Sequence, residues 1–431
     1  MLEMRKMKDS GIEWIGEIPE GWRTINPKAL FTQRKDKAQK GERQLTSSQQ
    51  YGILYQDDYM ELTGSKVVTV EKDFDILKHV EAGDFVISMR SFQGGLEYST
   101  KSGAISSAYV MLVPNLELVY PRFYRWLLKS SVYIDALQRT TNMVRDGQAM
   151  RYSNFAQVRL FALPLDEQKS RADFLDLECS SIDKILFKTR SSIEEYKKLK
   201  QAVITQAVTK GVRGEREMKD SGVDWIGKIP KEWVIQKIKS ISSRINVGVV
   251  IRPSEYFDEN GTVPFLRGIN VKEYLISSDN MVYINESSNR ILSKSQVHTD
   301  DILIVRDGSI GTSCVVPAEF DGANVVSMVI ATPSISGDSR FICYSLNSDV
   351  GKTQFTLTKI GSALTHTSVS AVSDIIVAVP SCAEQKEIAD YLDAKCAEID
   401  RLIAKKEQLV KELESYKKSL IYEVVTGKRE V

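Results

Sequence analysis

A sixteen-residue phrase occurs twice in the chain. The segment MKDSGIEWIGEIPEGW (7–22) returns as MKDSGVDWIGKIPKEW (218–233), and eleven of the sixteen positions are identical at an offset of 211. A second block also repeats, because Glu167–Thr209 matches Glu384–Thr426 without a gap, with 16 of 43 positions identical. A period of about 210 residues is far longer than that of a solenoid repeat. The sequence therefore predicts a tandem duplication in which each copy can bury its own core.

The middle of each copy has diverged but keeps traces of a common scaffold. VEAGDFVISMRSFQGG (80–95) aligns with VHTDDILIVRDGSIGT (297–312) at an offset of 217. Short β-branched runs bounded by Gly, Asp and Pro are typical of strands with turns. The segments 121–138 and 339–355 have helical periodicity instead. Each middle is therefore predicted to be a mixed α/β domain, and we call these domains the two heads.

A long charged helix is predicted after each head. Residues 166–208 and 383–425 contain neither Pro nor Gly, and their apolar residues recur at steps of three and four. Each stretch follows a proline and stops near a glycine, and each would extend about 60 Å. A single apolar stripe needs a partner, for which the helix of the other copy is favoured over a solvated helix or an intermolecular coiled coil. The fold class predicted is α+β, a tandem duplication with five segments: 7–163, 164–210, a linker at 211–217, 218–380 and 381–428.

Composition limits the kinds of function. Lys plus Arg number 58 and Asp plus Glu number 57, so the chain is almost neutral. Phosphate neutralisation usually makes a nucleic-acid-binding protein basic, so DNA binding here would need local basic patches or basic partners. The five cysteines form no CxxC pair, and neither a signal peptide nor an apolar run of membrane length is visible. We expect a cytoplasmic protein with reduced thiols.

Sequence motifs for catalysis are not found. The VGKT segment (350–353) has Leu346 where a phosphate-binding loop needs its first glycine. The EQK triplets that begin at Glu167 and Glu384 are better explained by helix capping than by a nuclease site. The three histidines have no metal-ligand spacing. The four tryptophans of the repeated phrases are interpreted as packing residues and not as residues that stack on nucleic-acid bases. We expect no catalytic residue, cofactor or metal in this chain.

These repeated residues carry a family resemblance. The SGIEWIGEIPEGW phrase, the LPLDEQ and VPSCAEQ junctions and the helix ends AVTKG and VVTGK resemble those of a type I restriction–modification specificity subunit. The resemblance implies two target-recognition domains joined by two long antiparallel helices that pair as a coiled coil. It also implies double-stranded DNA, two methyltransferase subunits and restriction subunits as partners. S-adenosylmethionine, ATP and magnesium would then be bound by those partners.

Duplication followed by divergence gives a physical reason for such a design. A true dimer has identical reading surfaces and favours a palindromic site. Two divergent heads on a copied scaffold can each read their own half-site, so the expected target is asymmetric and bipartite, with a spacer set by the length of the paired helices. The alternatives are a methyltransferase-only or other phage-defence complex, a nuclease or methyltransferase that acts alone, and a coiled-coil scaffold that binds no DNA.

Candidate base-reading residues are divergent polar side chains beside the ends of predicted strands. Arg pairs with guanine and Gln or Asn with adenine, which makes these side chains the natural readers. The candidates are Gln49, Tyr51, Arg90, Gln93, Arg145, Gln148 and Arg151 in the first head, and Arg252, Arg267, Asn270, Arg306, Ser309, Thr365 and His366 in the second. Surface or structural ion pairs are the alternative role for about half of them.

Overall fold

The computed structural model describes residues 5–48, 50–70, 74–88, 96–140, 151–359 and 366–431. Contacts divide the chain into two compact units. Unit 1 comprises the residues up to Arg190 together with Gln408–Val431, and unit 2 comprises Ser191–Glu407. Each unit includes part of both long helices, whereas the domain boundaries predicted from the sequence treat each long helix as a separate segment.

Unit 1 contains short strands and short helices ahead of the first long helix. Its strands are β1 (Met7–Asp9), β2 (Glu17–Pro19), β3 (Arg23–Ile25), β4 (Phe31–Arg34), β5 (Leu45–Ser48), β6 (Gly52–Tyr55), β7 (Lys78–Val80), β8 (Phe85–Ser88), β9 (Leu96–Tyr98), β10 (Gly103–Ile105), β11 (Tyr109–Pro114) and β12 (Leu160–Ala162). Its helices are α1 (Pro27–Leu30), α2 (Gln56–Thr63), α3 (Pro121–Leu128), α4 (Ser131–Gln138), α5 (Tyr152–Phe155) and the first part of α6 (Leu165–Lys210). A 3₁₀ turn covers Phe74–Ile76.

Unit 2 repeats this order with additions. Its strands are β13 (Met218–Asp220), β14 (Lys228–Pro230), β15 (Val234–Lys237), β16 (Ser242–Val247), β17 (Val263–Leu266), β18 (Val271–Lys272), β19 (Leu275–Ile276), β20 (Val282–Ile284), β21 (Ile302–Val305), β22 (Ser313–Val315), β23 (Asn324–Val325), β24 (Met328–Pro333) and β25 (Ile376–Val379). Its helices are α7 (Glu286–Ile291), α8 (Ser339–Asn347), α9 (Asp349–Lys359), α10 (Val369–Ser373) and the first part of α11 (Cys382–Val425). Four 3₁₀ turns cover Ile238–Ser240, Pro253–Tyr256, Ser293–Ser295 and Ala318–Phe320.

The two units have the same central sheet. The strand order is β4-β11-β8-β9 in unit 1 and β16-β24-β21-β22 in unit 2, and all neighbours in both sheets are antiparallel. The repeated phrase forms a two-stranded ribbon in each unit, β1 with β2 and β13 with β14. The duplication read from the sequence is therefore a duplication of the fold.

The central sheet of unit 2 is buried on both faces. All four residues of β21, Ile302–Val305, are buried. Because successive side chains of a strand point to opposite faces, Ile302 and Ile304 pack with the helices α8 and α11, while Leu303 and Val305 pack in a second apolar cluster on the other face. This arrangement explains why β21 reads as a continuous apolar run without alternation.

The described parts of the two heads differ in the connection between two paired strands. In unit 1 only residues 49–51 separate β5 from its partner β6, whereas in unit 2 residues 267–281 separate β17 from its partner β20. The longer connection contains the small β18–β19 hairpin. The second head thus carries an insertion at the end of a strand, where a change of loop length disturbs the core least.

The long helices pair in an antiparallel manner within each unit. In unit 1, Asp183 of α6 forms an ion pair with Lys417 of α11 at 2.5 Å. In unit 2, Lys200 pairs with Asp400 at 2.7 Å, and the ammonium of Lys406 lies 5.6 Å from the ring centroid of Tyr196. Residue numbers rise along α6 as they fall along α11, so the predicted intramolecular pairing of the two helices is confirmed.

A buried tryptophan fastens each repeated phrase to the start of a long helix. Trp22 Nε1 donates to Glu167 Oε2 at 3.0 Å, and Trp233 Nε1 donates to Glu384 Oε2 at 3.2 Å. The two indoles are 1% and 0% exposed, and a guanidinium lies over each ring, that of Arg171 in unit 1 and that of Arg216 in unit 2. The packing role predicted for these two tryptophans is confirmed, whereas Trp225 is 40% exposed.

The glutamine that follows each of these glutamates also has a long-range structural role. Gln168 Oε1 accepts from Tyr120 N at 2.7 Å, and Gln385 Oε1 accepts from Asp338 N at 2.9 Å. Each amide nitrogen donates to two carbonyl oxygens, and both side chains are buried. The sequence predicts a local helix cap at the EQ pair, but the glutamine ties the start of a long helix to the segment that leads into α3 or α8.

Candidate nucleic-acid interface

Five loop segments meet at one end of the strands of unit 2. They are 248–252 after β16, 267–270 after β17, 306–309 after β21, 326–327 after β23, and 366–367 ahead of α10, and we call them together the strand-end rim. Backbone bonds join them: Val326 N donates to Leu266 O at 2.8 Å, Ser327 N to Val249 O at 3.0 Å, and Thr367 N to Arg306 O at 3.1 Å. Candidates far apart in the sequence therefore gather on one edge.

Arg306 is held at the centre of this edge. Its Nε donates to the Thr367 carbonyl at 2.9 Å, and the next residue, Asp307, pairs with His366 through an isolated β-bridge. Ser327 Oγ donates to Asp307 Oδ2 at 3.2 Å. The Nε bond fixes the plane of the guanidinium, and its two Nη groups have no hydrogen-bond partner among the described residues. This geometry leaves a pair of donors for a bidentate acceptor such as the guanine edge.

The turn after Arg306 depends on glycine. Gly308 and Gly311 have φ values of +73° and +90°, which side chains rarely adopt. A Cβ at Gly311 would lie only 2.4 Å from Phe355 Cδ2, so this turn lies tightly against α9. The exposed Ser309 lies between the two glycines and is therefore presented on a turn of fixed shape.

Arg267 and Asn270 occupy the insertion that distinguishes the second head. The Asn270 Oδ1 accepts from Arg267 N at 3.0 Å, and its Nδ2 donates to the carbonyls of Ser277 and Asp279 at 3.1 and 2.9 Å. Asn270 is 0% exposed. A side chain that is buried with both amide hydrogens in use cannot reach a base edge, so Asn270 shapes the loop and we withdraw it as a candidate reader.

The guanidinium of Arg267 is partly committed as well. It donates from Nη2 to the Asn280 carbonyl, and its buried Nε has no acceptor within the described ranges. A buried unpaired donor is costly, about 1–3 kcal/mol, and such a group is a site where an incoming acceptor would be favourable. Arg267 therefore stays a candidate.

The remaining part of the rim mixes charge with apolar surface. Arg252 adopts a left-handed backbone conformation, with φ 44°, and forms an exposed ion pair with Glu255 at 3.2 Å. Beside it, Ile251 is 81% exposed, and Ile269 of the insertion is 55% exposed. These isoleucines are not among the candidates predicted from the sequence, which are mostly polar, although apolar side chains contact the thymine methyl group.

The corresponding edge of unit 1 is described only in part. Tyr51 lies in the tight turn between β5 and β6, is 40% exposed, and meets the ring of Tyr59 edge-on at 6.4 Å. Arg151 precedes α5, where its backbone N donates to Asn154 Oδ1 at 3.0 Å, and it is exposed. The other candidates lie outside the described residues: Gln49, Arg90, Gln93, Arg145, Gln148 and, in unit 2, Thr365.

Within the described ranges, no group of three or more His, Cys, Asp and Glu side chains is arranged to hold a metal ion. No helix in the described part of the chain combines the length and the apolar character that a membrane span needs.

Proteins of known class are similar in sequence to this chain. The family model of the type I restriction modification DNA specificity domain matches residues 230–413. The type I restriction enzyme MjaVIII specificity subunit of Methanocaldococcus jannaschii is 24% identical over 357 residues, which are 81% of this chain and 80% of that protein. The EcoKI specificity subunit of Escherichia coli K12 is 23% identical over 208 residues, which are 47% of this chain and 44% of that protein.

Solved structures share the fold. A chain from a study of complex assembly and conformational transition in the type I R-M system superposes with a TM-score of 0.72 at 13% identity, covering 96% of this chain and 99% of that one. The HsdS subunit from Thermoanaerobacter tengcongensis gives a TM-score of 0.52 at 14% identity, covering 96% and 98%. The duplicated α+β architecture is thus a known one. The resemblance to type I restriction–modification specificity subunits that the sequence predicts is supported by these matches.

Proposed function

We propose that the chain reads an asymmetric, bipartite target in double-stranded DNA, with one head for each half-site. The observation that carries the proposal is the contrast between the units: their sheets have one strand order, but the strand-end rim of unit 2 contains an insertion of its own. A scaffold that is kept while its edge changes is what two different half-sites require.

The chemistry belongs to partner subunits in this proposal. The chain docks two adenine methyltransferase subunits and the restriction subunits of a type I complex, as the relationship to specificity subunits suggests. S-adenosylmethionine, ATP and magnesium bind to those partners, and the chain itself is a non-catalytic, cytoplasmic recognition subunit. A methyltransferase-only or other phage-defence assembly is the alternative in which the same reading function would operate without restriction.

The test is a map of methylated adenines from the reconstituted complex of this chain with its methyltransferase subunits. A bipartite motif with two unlike halves is expected, while a palindromic or undivided motif would contradict the proposal. The variant Arg306→Ala should cost about 1–3 kcal/mol of binding and relax the motif in one half-site only.

A matched control is Arg290→Ala, which removes an exposed arginine of α7. The neighbouring Asn289 is tied to the Gly322 carbonyl at 3.1 Å rather than to the rim. Because any lost phosphate contact weakens binding to all sequences alike, this control separates base reading from a general loss of positive charge. Methylation by Arg306→Ala at the unchanged motif with parental efficiency would remove Arg306 from the interface.

A further inference from the structure

A groove of about 610 Å³ runs along α6 in unit 1, between that helix and α3. Among its lining residues are Trp126, Cys179, Asp183, Lys184, Phe187 and Lys188. Phe187 is 73% exposed, although phenylalanine is a residue that proteins usually bury. We call this feature the Phe187 groove.

The walls of the Phe187 groove are firmly held. Trp126 Nε1 donates to Asp176 Oδ1 at 2.7 Å, and Arg125 pairs with the same carboxylate at 2.8 Å. Asp183 is neutralised by Lys417. By contrast, Lys184 and Lys188 have no carboxylate partner among the described residues, so the groove combines an apolar wall with unpaired positive charge.

The corresponding groove in unit 2 is filled by a side chain of unit 2 itself. The copied positions of Trp126, Cys179 and Asp183 are Tyr344, Cys396 and Asp400. The ring centroid of Tyr274 lies 4.8 Å from that of Tyr344, with the ring planes tilted by 36°. The ammonium of Lys200, the partner of Asp400, lies 5.7 Å from the centroid of Tyr274.

Tyr274 reaches this position from the turn of the β18–β19 hairpin. Its backbone N donates to the Ser313 carbonyl at 3.0 Å, and the preceding residue, Glu273, pairs with Lys352 at 2.8 Å. The filling segment is thus an acidic residue followed by an aromatic one. The described part of unit 1 has no counterpart of this hairpin, because the chain passes from β5 to β6 within residues 49–51.

The copies also differ at the wall itself. Phe187 corresponds to Ala404 in unit 2, so the copy whose groove is filled internally has a small residue there. Unit 1 has a large exposed aromatic side chain there instead, while Lys184 and Lys188 correspond to the basic residues Arg401 and Lys405 of unit 2. Exposed apolar surface rimmed by polar residues marks a site of protein contact.

Resting on the proposed function, we propose that the Phe187 groove receives an acidic–aromatic turn of a methyltransferase subunit, whose aromatic side chain takes the place that Tyr274 takes in unit 2. The charge fits, because an acidic side chain would meet Lys184 and Lys188. Since the filled groove of unit 2 cannot accept the same turn, the two methyltransferase sites differ in affinity, and the site on unit 1 is occupied first.

The test is a titration of the purified chain with the methyltransferase subunit of its own system, followed by native mass spectrometry. Two unequal binding steps are expected for the parent. Phe187→Ala, which installs the residue of the other copy, and Lys184→Glu should each weaken the tighter step by about tenfold or more and leave the weaker step unchanged. The control Leu177→Ala removes another exposed apolar side chain of α6, 66% exposed and outside the groove lining, and should change neither step.

The outcomes separate the inference from the function on which it rests. A parent chain that binds no methyltransferase subunit contradicts the proposed function. If the parent binds two methyltransferase subunits and both variants bind them with the same constants, the groove proposal alone is overturned. Equal weakening of both binding steps by the variants overturns it as well. A photo-crosslinking amino acid at position 187 should attach to an acidic–aromatic turn of the methyltransferase, and attachment to DNA or to a restriction subunit instead would also overturn it.

Discussion

The contact between Glu167 and Trp22 can be tested through pH, because Glu167 titrates far from its ordinary range. Burial raises the pKa of Glu167, but hydrogen bonds from Arg5, Arg171 and Trp22 outweigh this effect and lower it from 4.5 to about 2. The side chain is only 21% exposed, so solvent screens these bonds weakly. A carboxylate whose pKa is lower in the folded state stabilises that state above the unfolded pKa.

The size of this effect follows from the shift. A shift from 4.5 to about 2 corresponds to about 3 kcal/mol at neutral pH, since each pKa unit is worth about 1.4 kcal/mol. Replacing Glu167 by Gln should therefore destabilise unit 1 by about 3 kcal/mol at pH 7. The loss also leaves Arg171, which is 1% exposed, without its counter-charge, and breaking a buried pair costs about 3–5 kcal/mol.

The contribution of Glu167 to stability depends on pH in one direction. The stabilisation is fully present above pH 4.5 and is lost as the pH falls through about 2, so parent and variant should converge within that window. Pulse proteolysis in urea, with peptides of unit 1 identified by mass spectrometry, measures the stability of this unit in the full chain. The peptides of unit 2 serve as an internal reference.

A neighbouring substitution provides the control. Asp166→Asn removes the same charge from the same first turn of α6, but Asp166 is exposed, so only the helix-dipole contribution of about 0.3–1 kcal/mol should be lost. Equal effects of Glu167→Gln and Asp166→Asn, or a Glu167→Gln effect that does not shrink below pH 4.5, would refute the account.

Three further perturbations test other parts of the molecule. Burial lowers the pKa of His79, but hydrogen bonds to Glu81 and Glu42 outweigh this effect and raise the pKa above 6.5. The stability that the charged imidazole contributes is present below pH 6.5 and is lost as the pH rises through the raised pKa. Urea denaturation should therefore show that unit 1 is more stable at pH 6 than at pH 8, and this difference should be smaller in His79→Gln. Gly311→Ala should lower the thermal stability of unit 2 by about 1–3 kcal/mol through strain, with an added steric cost that Gly322→Ala, whose Cβ meets nothing within 4 Å, does not share. Asn270→Ala should cost about 1–3 kcal/mol of folding stability and weaken DNA binding evenly across sequences, and relaxed specificity at a single base would contradict its structural role.

The parts of the fold that could be predicted have short-range causes. The long helices follow from uninterrupted periodicity without Pro or Gly, and the strands around Val86 and Leu303 follow from β-branched runs between turns. The duplication is visible as sequence identity between the two copies. The packing of Trp22 and Trp233 followed from the argument that groups holding a shared fold persist in both copies.

The parts that could not be predicted depend on partners far along the chain. Gln168 looked like a helix cap because its bond to the backbone of Tyr120 spans 48 residues and has no local signature. Asn270 looked like a reader because Asn beside a turn is equally suited to bonding the loop or a base. Burial decides between these roles, and burial is a property of the tertiary fold. The insertion of Tyr274 into the copied groove was invisible for the same reason.

The number of partners that a side chain has also explains which positions of a duplicated protein can change. Glu167 and Glu384, and likewise Gln168 and Gln385, each fasten segments that the chain brings together from a distance, so a substitution at any of them leaves several buried groups unpaired. Such positions were retained in both copies. Arg306 bonds one carbonyl from its side chain, and the apolar side chain of Ile251 is almost wholly exposed, so a change at the strand-end rim disturbs few partners. The energetic cost of a substitution is therefore small at the strand-end rim and large where the scaffold is held, which allows one head to diverge without the loss of the fold that both heads share.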